Sequence, residues 1–393
     1  MFESVLIWVF WISLLLGVYV YFIYPLILFL LSAIFGKNPS TEYTIAPRTV
    51  LLIACYNEAG EIEKRLANLL SLDFPFEKLK ILVLSDGSSD ATVQIARDFA
   101  LAHPEVPVTV LDFKENRGKC STLLRGVNWV KENWPETEIL AFTDANSHWR
   151  PDSLKKLLAP FADEKVGSVA GLFVYDNPDK LVSGEMEGLY WKYETLIKRL
   201  SGRLGTLPGG AGAIFALRLM AYEPLSEFRG DDFELPVMAI IKGFRSVFIE
   251  DALSFEPPSP DLMTEFRRKK RIVGIMVPSG FALFGKALFK GRSLLAFQLL
   301  SHKILRWLVP FFMIAILLCS ALLWNTGLTW QIAFIVQIVF YILALAGWVF
   351  ENNGKITPKV FRLPFYFTMV NFAGLIGFLQ AIGGKPVKWE RNR

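Results

Sequence analysis

The chain has 393 residues, of which 53% are hydrophobic and 33 are phenylalanine. This share exceeds the ~45–50% of an ordinary soluble domain, and the excess lies in residues 5–35 and after residue 304. The net charge of +5 is too diffuse to indicate a nucleic-acid partner. The three cysteines show no CxxC spacing and the three histidines no metal-ligand spacing, which argues against a disulfide framework and a zinc site. The composition favours a membrane protein with a soluble domain between its apolar ends.

The first predicted element is an apolar segment from Leu6 to Phe35 without a charged residue. It exceeds the ~20 residues that cross a bilayer, and Pro25 is the expected site of a kink. A cleaved signal peptide is the alternative, but such peptides begin with basic residues, whereas this chain has Glu3 near its start. We therefore predict an uncleaved N-terminal transmembrane helix within residues 1–40.

Residues 45–270 show strands that alternate with helices. Apolar runs predict strands at Thr49–Ala54, Lys80–Leu84, Val106–Phe113 and Glu138–Phe142. Helical patterns follow them at Glu61–Leu72, Ala91–Ala100, Lys119–Glu132 and Leu154–Phe161. This alternation indicates a doubly wound α/β domain with a mostly parallel sheet covered on both faces. Ligands bind such sheets at the carboxyl ends of the strands, where this sequence places its polar residues.

The predicted strand ends carry three candidate ligand groups. Asp144 and Asn146 follow the fourth strand, and two oxygen-bearing side chains at this spacing can hold Mg²⁺ or Mn²⁺, although a polar turn is the alternative. Asp86 follows the second strand and is placed to contact a base or ribose, while Asp90 is expected to cap the next helix. Lys119 at a helix start suits a phosphate, or is a surface residue.

Two later segments suggest the rest of the site. The run Pro208–Gly212 is a loop in which backbone can approach a ligand closely, or a plain connection. Asp231 and Asp232 are expected on a strand, where adjacent side chains face opposite ways and one carboxylate enters the site. A carboxylate there can deprotonate an acceptor hydroxyl. Acidic residues in the first turn of a helix are the alternative.

The remaining predictions concern the membrane. Arg268 and Arg271 lie on one helical face and are predicted to hold a leaving diphosphate, or they belong to a basic collar against lipid headgroups. Residues 271–304 are apolar but interrupted by Pro278 and glycines, which predicts interfacial amphipathic segments. Three spans are expected within 305–385, at roughly 306–324, 331–350 and 363–382. The basic loop Glu351–Arg362 is predicted to be cytoplasmic, which would leave the basic tail after residue 384 outside.

The order of these motifs resembles that of glycosyltransferase family 2. It runs from a strand with YNE through DGSSDAT, NRGK, TDAN, PGGAGAIFALR and GDD to a basic segment before terminal spans. The chain is similar to the membrane branch that includes cellulose, hyaluronan and poly-N-acetylglucosamine synthases. The resemblance implies a GT-A fold, an inverting mechanism, a divalent cation (Mg²⁺ or Mn²⁺) and a UDP-sugar donor.

The resemblance also implies roles for individual residues. The nucleotide would be held by Tyr56, Glu58, Asp86 and Lys119, the metal by Asp144 with Asn146, and the diphosphate by Arg268 and Arg271. Asp232 would be the catalytic base. The donor-sugar or acceptor pocket would be lined by Gly209, Gly210, Ala211, Gly212 and Asp231.

Two positions depart from the family pattern. The second acid of the metal motif is Asn146, which removes one formal charge. The segment Arg268–Ile272 aligns with the QxxRW motif of processive synthases but lacks its Gln and its Trp, which puts processive synthesis in doubt.

These observations lead to one favoured function and two alternatives. The favoured function is transfer of a sugar from a UDP-sugar to a growing exopolysaccharide or glycan acceptor, by an integral protein of a bacterial-type inner or plasma membrane with a cytoplasmic catalytic domain. The first alternative is addition of a single sugar to a lipid-linked acceptor. The second is a non-catalytic nucleotide-sugar-binding scaffold or sensor.

Overall fold

The computed structural model describes residues 1–41, 43, 46–176, 185–224, 230–257, 261–355 and 357–384, with backbone alone for 185–189. Its β-strands are β1 (Thr49–Cys55), β2 (Leu79–Asp86), β3 (Val108–Phe113), β4 (Ile139–Asp144), β5 (His148–Trp149), β6 (Val166–Tyr175), β7 (Phe215–Arg218) and β8 (Arg245–Glu256). Its α-helices are α1 (Phe2–Val18), α2 (Tyr24–Phe35), α3 (Ile62–Leu69), α4 (Thr92–Ala102), α5 (Lys119–Asn133), α6 (Ser153–Leu158), α7 (Glu185–Leu204), α8 (Asp231–Lys242), α9 (Leu262–Phe289), α10 (Ser293–Gln298), α11 (Leu305–Leu322), α12 (Leu328–Asn352) and α13 (Lys359–Ile382).

The strands form one sheet in the order β3-β2-β1-β4-β7-β6-β8-β5. Strands β3, β2, β1 and β4 pair in parallel, and β6 pairs in parallel with β8. The short strand β7 lies antiparallel between β4 and β6, and β5 pairs antiparallel with β8. The predicted mostly parallel sheet is therefore confirmed, with an antiparallel insertion at its centre.

The sheet is covered on both faces, as its apolar strands predict. All seven residues of β1 are buried, and they alternate between two hydrophobic clusters. Leu51 and Ile53 pack on one face, while Val50 and Leu52 pack on the other. This arrangement leaves the carboxyl ends of the parallel strands as the place where polar side chains meet.

The N-terminal helix changes its geometry next to Pro25. Helices α1 and α2 run together through a π-helical turn at Tyr19–Ile23. Pro25 has no backbone N–H, and its ring crowds the preceding turn, so a local departure from α geometry is expected there. The irregularity predicted at Pro25 is present in this form.

In the described part of the chain, five helical segments are long and apolar enough to cross a membrane: Phe2–Phe35, Leu262–Phe289, Ser293–Leu322, Leu328–Asn352 and Lys359–Ile382. The first and the last three include the spans expected from the sequence. The basic tail from residue 385 onward lies outside the described residues.

Residues 262–304 differ in form from the broken interfacial segments that we expected. Helix α9 continues through Pro278 to Phe289, so the boundary predicted at residues 270 and 271 falls inside a helix. Its glycines serve close packing, because a Cβ at Gly280 would come within 2.4 Å of the Trp307 ring. A Cβ at Gly377 of α13 would likewise meet the Lys270 carbonyl of α9 at 2.4 Å. The interfacial placement of this region stays a prediction.

Candidate active site

Four segments converge at the carboxyl end of β4. Asp144 is the last residue of β4, Lys119 is the first of α5, and Asp231 is the first of α8. The Lys119 Nζ lies 2.8 Å from the Asp144 Oδ1 and 3.4 Å from the Asp231 Oδ2. The fourth segment is the glycine loop, where a Cβ on Gly212 would stand 3.3 Å from Lys119 Nζ and 3.4 Å from Asp144 Oδ2. The loop therefore brings bare backbone against the charged groups, as its glycines predict.

The strand predicted for Asp231 and Asp232 is wrong. Both residues lie in the first turn of α8, after Gly230. Their carboxylates are stabilised there by the positive end of the helix, which was the alternative interpretation. Because adjacent helical residues do not face opposite ways, both approach the cluster: the Asp232 Oδ2 would lie 3.8 Å from a Cβ on Gly212.

The charges of this cluster do not balance. Burial opposes the charge of Lys119, but Asp144 and Asp231 outweigh it and hold the pKa of the ammonium well above its usual value. Burial raises the pKa of Asp231 to about 6, with Lys119 opposing and Asp232 and Asp144 adding to the rise. Three carboxylates thus share one ammonium. The excess negative charge suits a bound cation.

The donor set fits a metal that takes much of its coordination from substrate. Within the described residues no group of three or more His, Cys, Asp or Glu side chains is arranged to hold an ion. Asp144 and Asn146 are half-buried on either side of the buried Ala145. One carboxylate and one amide oxygen, completed by diphosphate oxygens and water, match the way Mg²⁺ is usually bound.

Asp86 holds a loop. Its side chain is fully buried, and its two carboxylate oxygens accept hydrogen bonds from the backbone N–H groups of Arg117 (3.0 Å) and Gly118 (2.8 Å). Gly87 has a φ of +72°, and a Cβ there would meet the Asn116 nitrogen at 2.9 Å. Asp86 therefore fixes the turn that leads into Lys119, and its direct contact with a base or ribose stays a prediction.

The turn after β1 is tied to the turn after β2. Asn57 has a φ of 53°, and its Oδ1 accepts from the Ser89 N–H at 2.8 Å. Asp90 accepts from the N–H of Thr92, the first residue of α4, at 3.0 Å and from the Ala59 N–H at 3.1 Å. Asp90 thus binds the first N–H of α4, although the N-cap position itself is occupied by Ala91. This role of Asn57 was not predicted from the sequence, although Asn is one of the few residues that enter the left-handed region readily.

Tyr56 and Glu58 flank Asn57 and are both half-buried. The Glu58 N–H donates to the Thr92 Oγ1 at 2.8 Å, which places the YNE turn beside the start of α4. The structure thus brings these two residues to the same edge as Asp86 and Asp144. Their contacts with a nucleotide stay predictions.

The two predicted diphosphate arginines lie on α9. The Arg268 guanidinium pairs with Glu265, with 2.9 Å between Nε and Oε2, and also contacts the Tyr175 hydroxyl. Arg271 lies three residues further along and is half-buried. Arg268 is therefore engaged by protein groups here, and the role of both arginines toward a diphosphate stays a prediction.

Two features of the site carried no sequence signal. Glu256, the last residue of β8, accepts a hydrogen bond from the Ser147 hydroxyl, and burial with the nearby Asp144 raises its pKa to about 7. A cavity of ≈ 40 Å³ lies beneath the glycine loop, with Asp232 in its wall. Both depend on contacts between segments far apart in the chain.

The sheet, the acidic end of β4 and the glycine loop together define a glycosyltransferase domain of the GT-A class. The sequence profile of glycosyltransferase-like family 2 matches residues 47–274, more than half of the chain, and the chain therefore belongs to this family. The family and the fold predicted from the motifs are confirmed. With five helices suited to crossing a bilayer among its described residues, it is an integral membrane protein.

Relatives and solved structures agree with this assignment. The poly-β-1,6-N-acetyl-D-glucosamine synthase of Staphylococcus aureus strain MSSA476 is 28% identical over 178 residues, which are 44% of this chain and 41% of that protein. The Staphylococcus epidermidis synthase is 30% identical over 162 residues, 40% of this chain and 37% of that one. The alignment thus spans less than half of either relative.

A mannosyltransferase from Pyrobaculum calidifontis, solved with GDP-Man and Mn²⁺, shares the fold. It superimposes with a TM-score of 0.71 at 20% identity and covers 98% of this chain and 100% of that one. The likeness therefore extends over the apolar helices as well as the catalytic domain.

Proposed function

We propose that this protein transfers a sugar from a nucleotide-sugar, of the UDP class, to a hydroxyl group of a growing glycan and inverts the anomeric centre. The convergence of Asp144, Lys119, Asp231 and Asp232 at one edge of the sheet is the observation that carries the proposal. Membership of family 2 supports the reaction class, and the synthase relatives support a glycan product.

The donor side of this reaction needs positive charge around a leaving diphosphate. Asp144 and Asn146 would hold Mg²⁺ or Mn²⁺, which supplies charge to the diphosphate oxygens; the mannosyltransferase structure with Mn²⁺ supports this choice. Lys119 stands 2.8 Å from Asp144 and can turn its ammonium toward the same oxygens. Arg268 and Arg271 would add charge from α9 as the nucleotide leaves.

The acceptor side needs one base. Asp232 is half-buried beside the loop, whose Gly210 N–H donates to its backbone carbonyl. Its carboxylate would take the proton of the acceptor hydroxyl while that oxygen forms a bond to the anomeric carbon. The bond between that carbon and the diphosphate oxygen breaks, and the electron pair leaves with the nucleotide. General-base help of this kind contributes about 10²–10⁴ in rate.

We place the catalytic domain on the cytoplasmic side of the membrane. Lys355 lies between α12 and α13, and Lys359 and Arg362 lie in the first turn of α13, so the positive-inside rule favours the cytoplasm for this end of the two helices. With α9 along the interface, as predicted, α11 and α12 make two crossings and return the chain to the side of the catalytic domain. Activity toward a nucleotide-sugar added to sealed inside-out vesicles, and none in right-side-out vesicles, is the matching test.

The test of the activity is a donor panel with purified protein in lipid nanodiscs. UDP-N-acetylglucosamine, UDP-glucose and GDP-mannose, each radiolabelled in the sugar, are supplied with Mn²⁺, Mg²⁺ or EDTA, and nucleotide release and product size are measured. We expect metal-dependent consumption of one donor. Consumption of none under any condition would favour the non-catalytic binding protein instead.

A further inference from the structure

The cavity beneath the glycine loop lies where the catalytic domain meets the apolar helices. Its walls come from Pro208 and Asp232 above, from Glu194 and Lys198 of α7, and from a π-helical turn at Leu299–Ile304 that precedes α11. Helix α7 packs on the N-terminal membrane helix, since Ile197 and Leu200 contact Tyr24 and Leu28 of α2. The cavity is therefore placed between the candidate base and the membrane.

The size of the cavity favours a small ligand group. A volume of ≈ 40 Å³ accommodates about three water-sized groups, at ~10–15 Å³ each. A phosphate group is of this size. Met276 of α9 also lines the cavity and gives one apolar wall.

The cavity carries one positive charge in excess, because Lys198, Lys303 and the adjoining Arg306 face the two carboxylates of Glu194 and Asp232. Glu194 forms an ion pair with Arg306 and lies 3.6 Å from the His302 Nε2, so its charge is already matched. Lys198 and Lys303 both line the cavity, and among the described residues neither forms an ion pair. The Lys303 ammonium lies 5.4 Å from the centre of the Phe233 ring. Burial lowers the pKa of Lys198, with Glu194 and Asp232 only partly opposing.

His302 adds an unused hydrogen-bonding atom. Its ring is 5% exposed, and its Nε2 lies 3.2 Å from the Arg306 Nη1. The Glu194 Oε1 lies 3.6 Å from the same Nε2, so this nitrogen already faces two protein groups. The buried Nδ1 has no hydrogen-bond partner among the described residues. Two ammonium groups without an ion pair and one ring nitrogen without a hydrogen-bond partner, which can donate when it carries the ring proton, form a set that an anionic phosphate would satisfy.

We propose that this cavity binds the phosphate group of a lipid-borne acceptor, with Lys198 and Lys303 supplying the charge and His302 a hydrogen bond. The proposal rests on the proposed function, because it names the acceptor that Asp232 would activate. The position beside α2, α9 and the π-helical turn selects a lipid phosphate over a soluble one, since the chain of such a lipid remains among the apolar helices while its headgroup reaches the base.

Binding of a plain lipid phosphate tests the site without any sugar transfer. Full-length protein in phosphatidylcholine nanodiscs is titrated with dodecyl phosphate, with dodecyl maltoside as the uncharged probe. Lys198→Met and Lys303→Met are compared with Lys192→Met, which removes an exposed lysine from α7, the helix that carries Lys198. We expect wild type and Lys192→Met to prefer dodecyl phosphate, and each cavity variant to lose about tenfold in affinity for it.

Three results would overturn the proposal. They are equal binding of the two probes by wild type, unchanged affinity in both cavity variants, and displacement of dodecyl phosphate by an equal concentration of inorganic phosphate. The last result would assign the cavity to a soluble anion. Lys198→Arg and Lys303→Arg keep the charge and should keep the affinity, so the test stands even where a Met variant does not fold.

Different results would reject the proposed sugar transfer and the proposed phosphate site. Donor consumption by wild type in the nanodisc panel, without preferential binding of dodecyl phosphate, would reject the phosphate site alone. Preferential binding that depends on both lysines, without consumption of any donor, would reject the proposed transfer and keep the site.

Discussion

The two halves of the sheet hold their polar groups in different ways. In the parallel half, formed by β3, β2, β1 and β4, the turns are fixed by hydrogen bonds that side-chain oxygens accept from backbone N–H groups, as at Asp86, Asn57 and Asp90. In the mixed half, formed by β7, β6, β8 and β5 with α8, the acidic groups Asp231 and Glu256 have raised pKa values, because partial or complete burial disfavours their charge. In the first half the turns are held in place without a ligand. In the second half the negative charge would be balanced by a bound ligand.

This difference suits a division between binding and reaction. Backbone-anchored turns offer a fixed surface to a nucleotide, because their donors and acceptors are already oriented. Buried carboxylates with raised pKa values are typical of catalytic sites. Variants in the two halves should therefore differ in their effects. Those in the parallel half should lower stability and nucleotide binding, and those in the mixed half should change turnover and its pH dependence.

The largest effect is expected from Asp232→Asn. The amide cannot accept the proton of the acceptor hydroxyl, so transfer should fall by about 10²–10⁴. Binding of the nucleotide should change little, because Asp232 is not among the groups that we predict to hold it. Steady-state transfer and UDP binding by calorimetry measure the two quantities.

Asp251→Asn is the matched control for this variant, because Asp251 is an exposed carboxylate on β8. It should keep wild-type transfer. Transfer by Asp232→Asn within a factor of about 3 of wild type would remove Asp232 as the base, because it lies far below the ~10²-fold expected of a general base.

The next-largest effect concerns metal binding. It is tested by opposite changes in charge at two positions, Asp144 and Asn146. Asp144→Asn removes a charged ligand and should raise the Mn²⁺ concentration for half-maximal turnover by about tenfold or more. Asn146→Asp restores the second acid of the metal motif and should lower that concentration. Both are read from turnover against free Mn²⁺. An unchanged requirement in both variants would place the metal elsewhere.

Much of the parallel half could be predicted from sequence. The runs that predict β1 to β4 fall within about two residues of the observed strands, because each strand is a local apolar segment that ends in a turn. The polar turns at the ends of these strands could be predicted for the same reason. The family motifs then indicated which of their residues belong to a site.

The mixed half could not be predicted in this way. Strand β7 has only four residues, and β8 pairs with β6 across register shifts. From the sequence alone, the first turn of α8 could equally be a strand, because its adjacent acidic residues show neither helical nor strand periodicity. Glu256 reaches Ser147 from a segment 109 positions away. Such contacts follow from the packing of distant segments and leave no local signal.

A smaller effect, on stability, is expected in the parallel half from Asp86→Asn. The amide can accept only one of the two backbone hydrogen bonds, so one buried N–H of the turn at Arg117 and Gly118 loses its partner. Such a loss costs about 1–3 kcal/mol in the free energy of unfolding. Thermal unfolding in detergent measures it.

The control is Asp112→Asn, because the ion-pair partner of the Asp112 carboxylate among the described residues is Lys114; their side chains are 19% and 86% exposed. Exposed pairs of this kind contribute about 0–1 kcal/mol. Equal melting temperatures for the Asp86 and Asp112 variants would contradict the structural role of Asp86.

The smallest effect is a change in pH dependence from Glu256→Gln in the mixed half. The pKa of Glu256 is raised from 4.5 to about 7 in the folded protein. The stability that its neutral form contributes is therefore complete below about pH 4.5 and is lost as the pH rises through about 7. Gln cannot ionise beside Asp144. Between pH 5 and pH 8 the wild-type melting temperature, measured without metal, should fall by a few degrees more than that of the variant.

Glu250→Gln serves as the comparison for this last measurement. Glu250 lies on the same strand but is 40% exposed and pairs with Arg199. Its variant should keep the wild-type slope of melting temperature against pH, because an exposed ion pair contributes only about 0–1 kcal/mol to stability. If Glu256→Gln also kept that slope, the buried carboxyl would be charged throughout this range. The contrast between the two halves would then rest on the reaction chemistry of Asp232 and Asp144 alone.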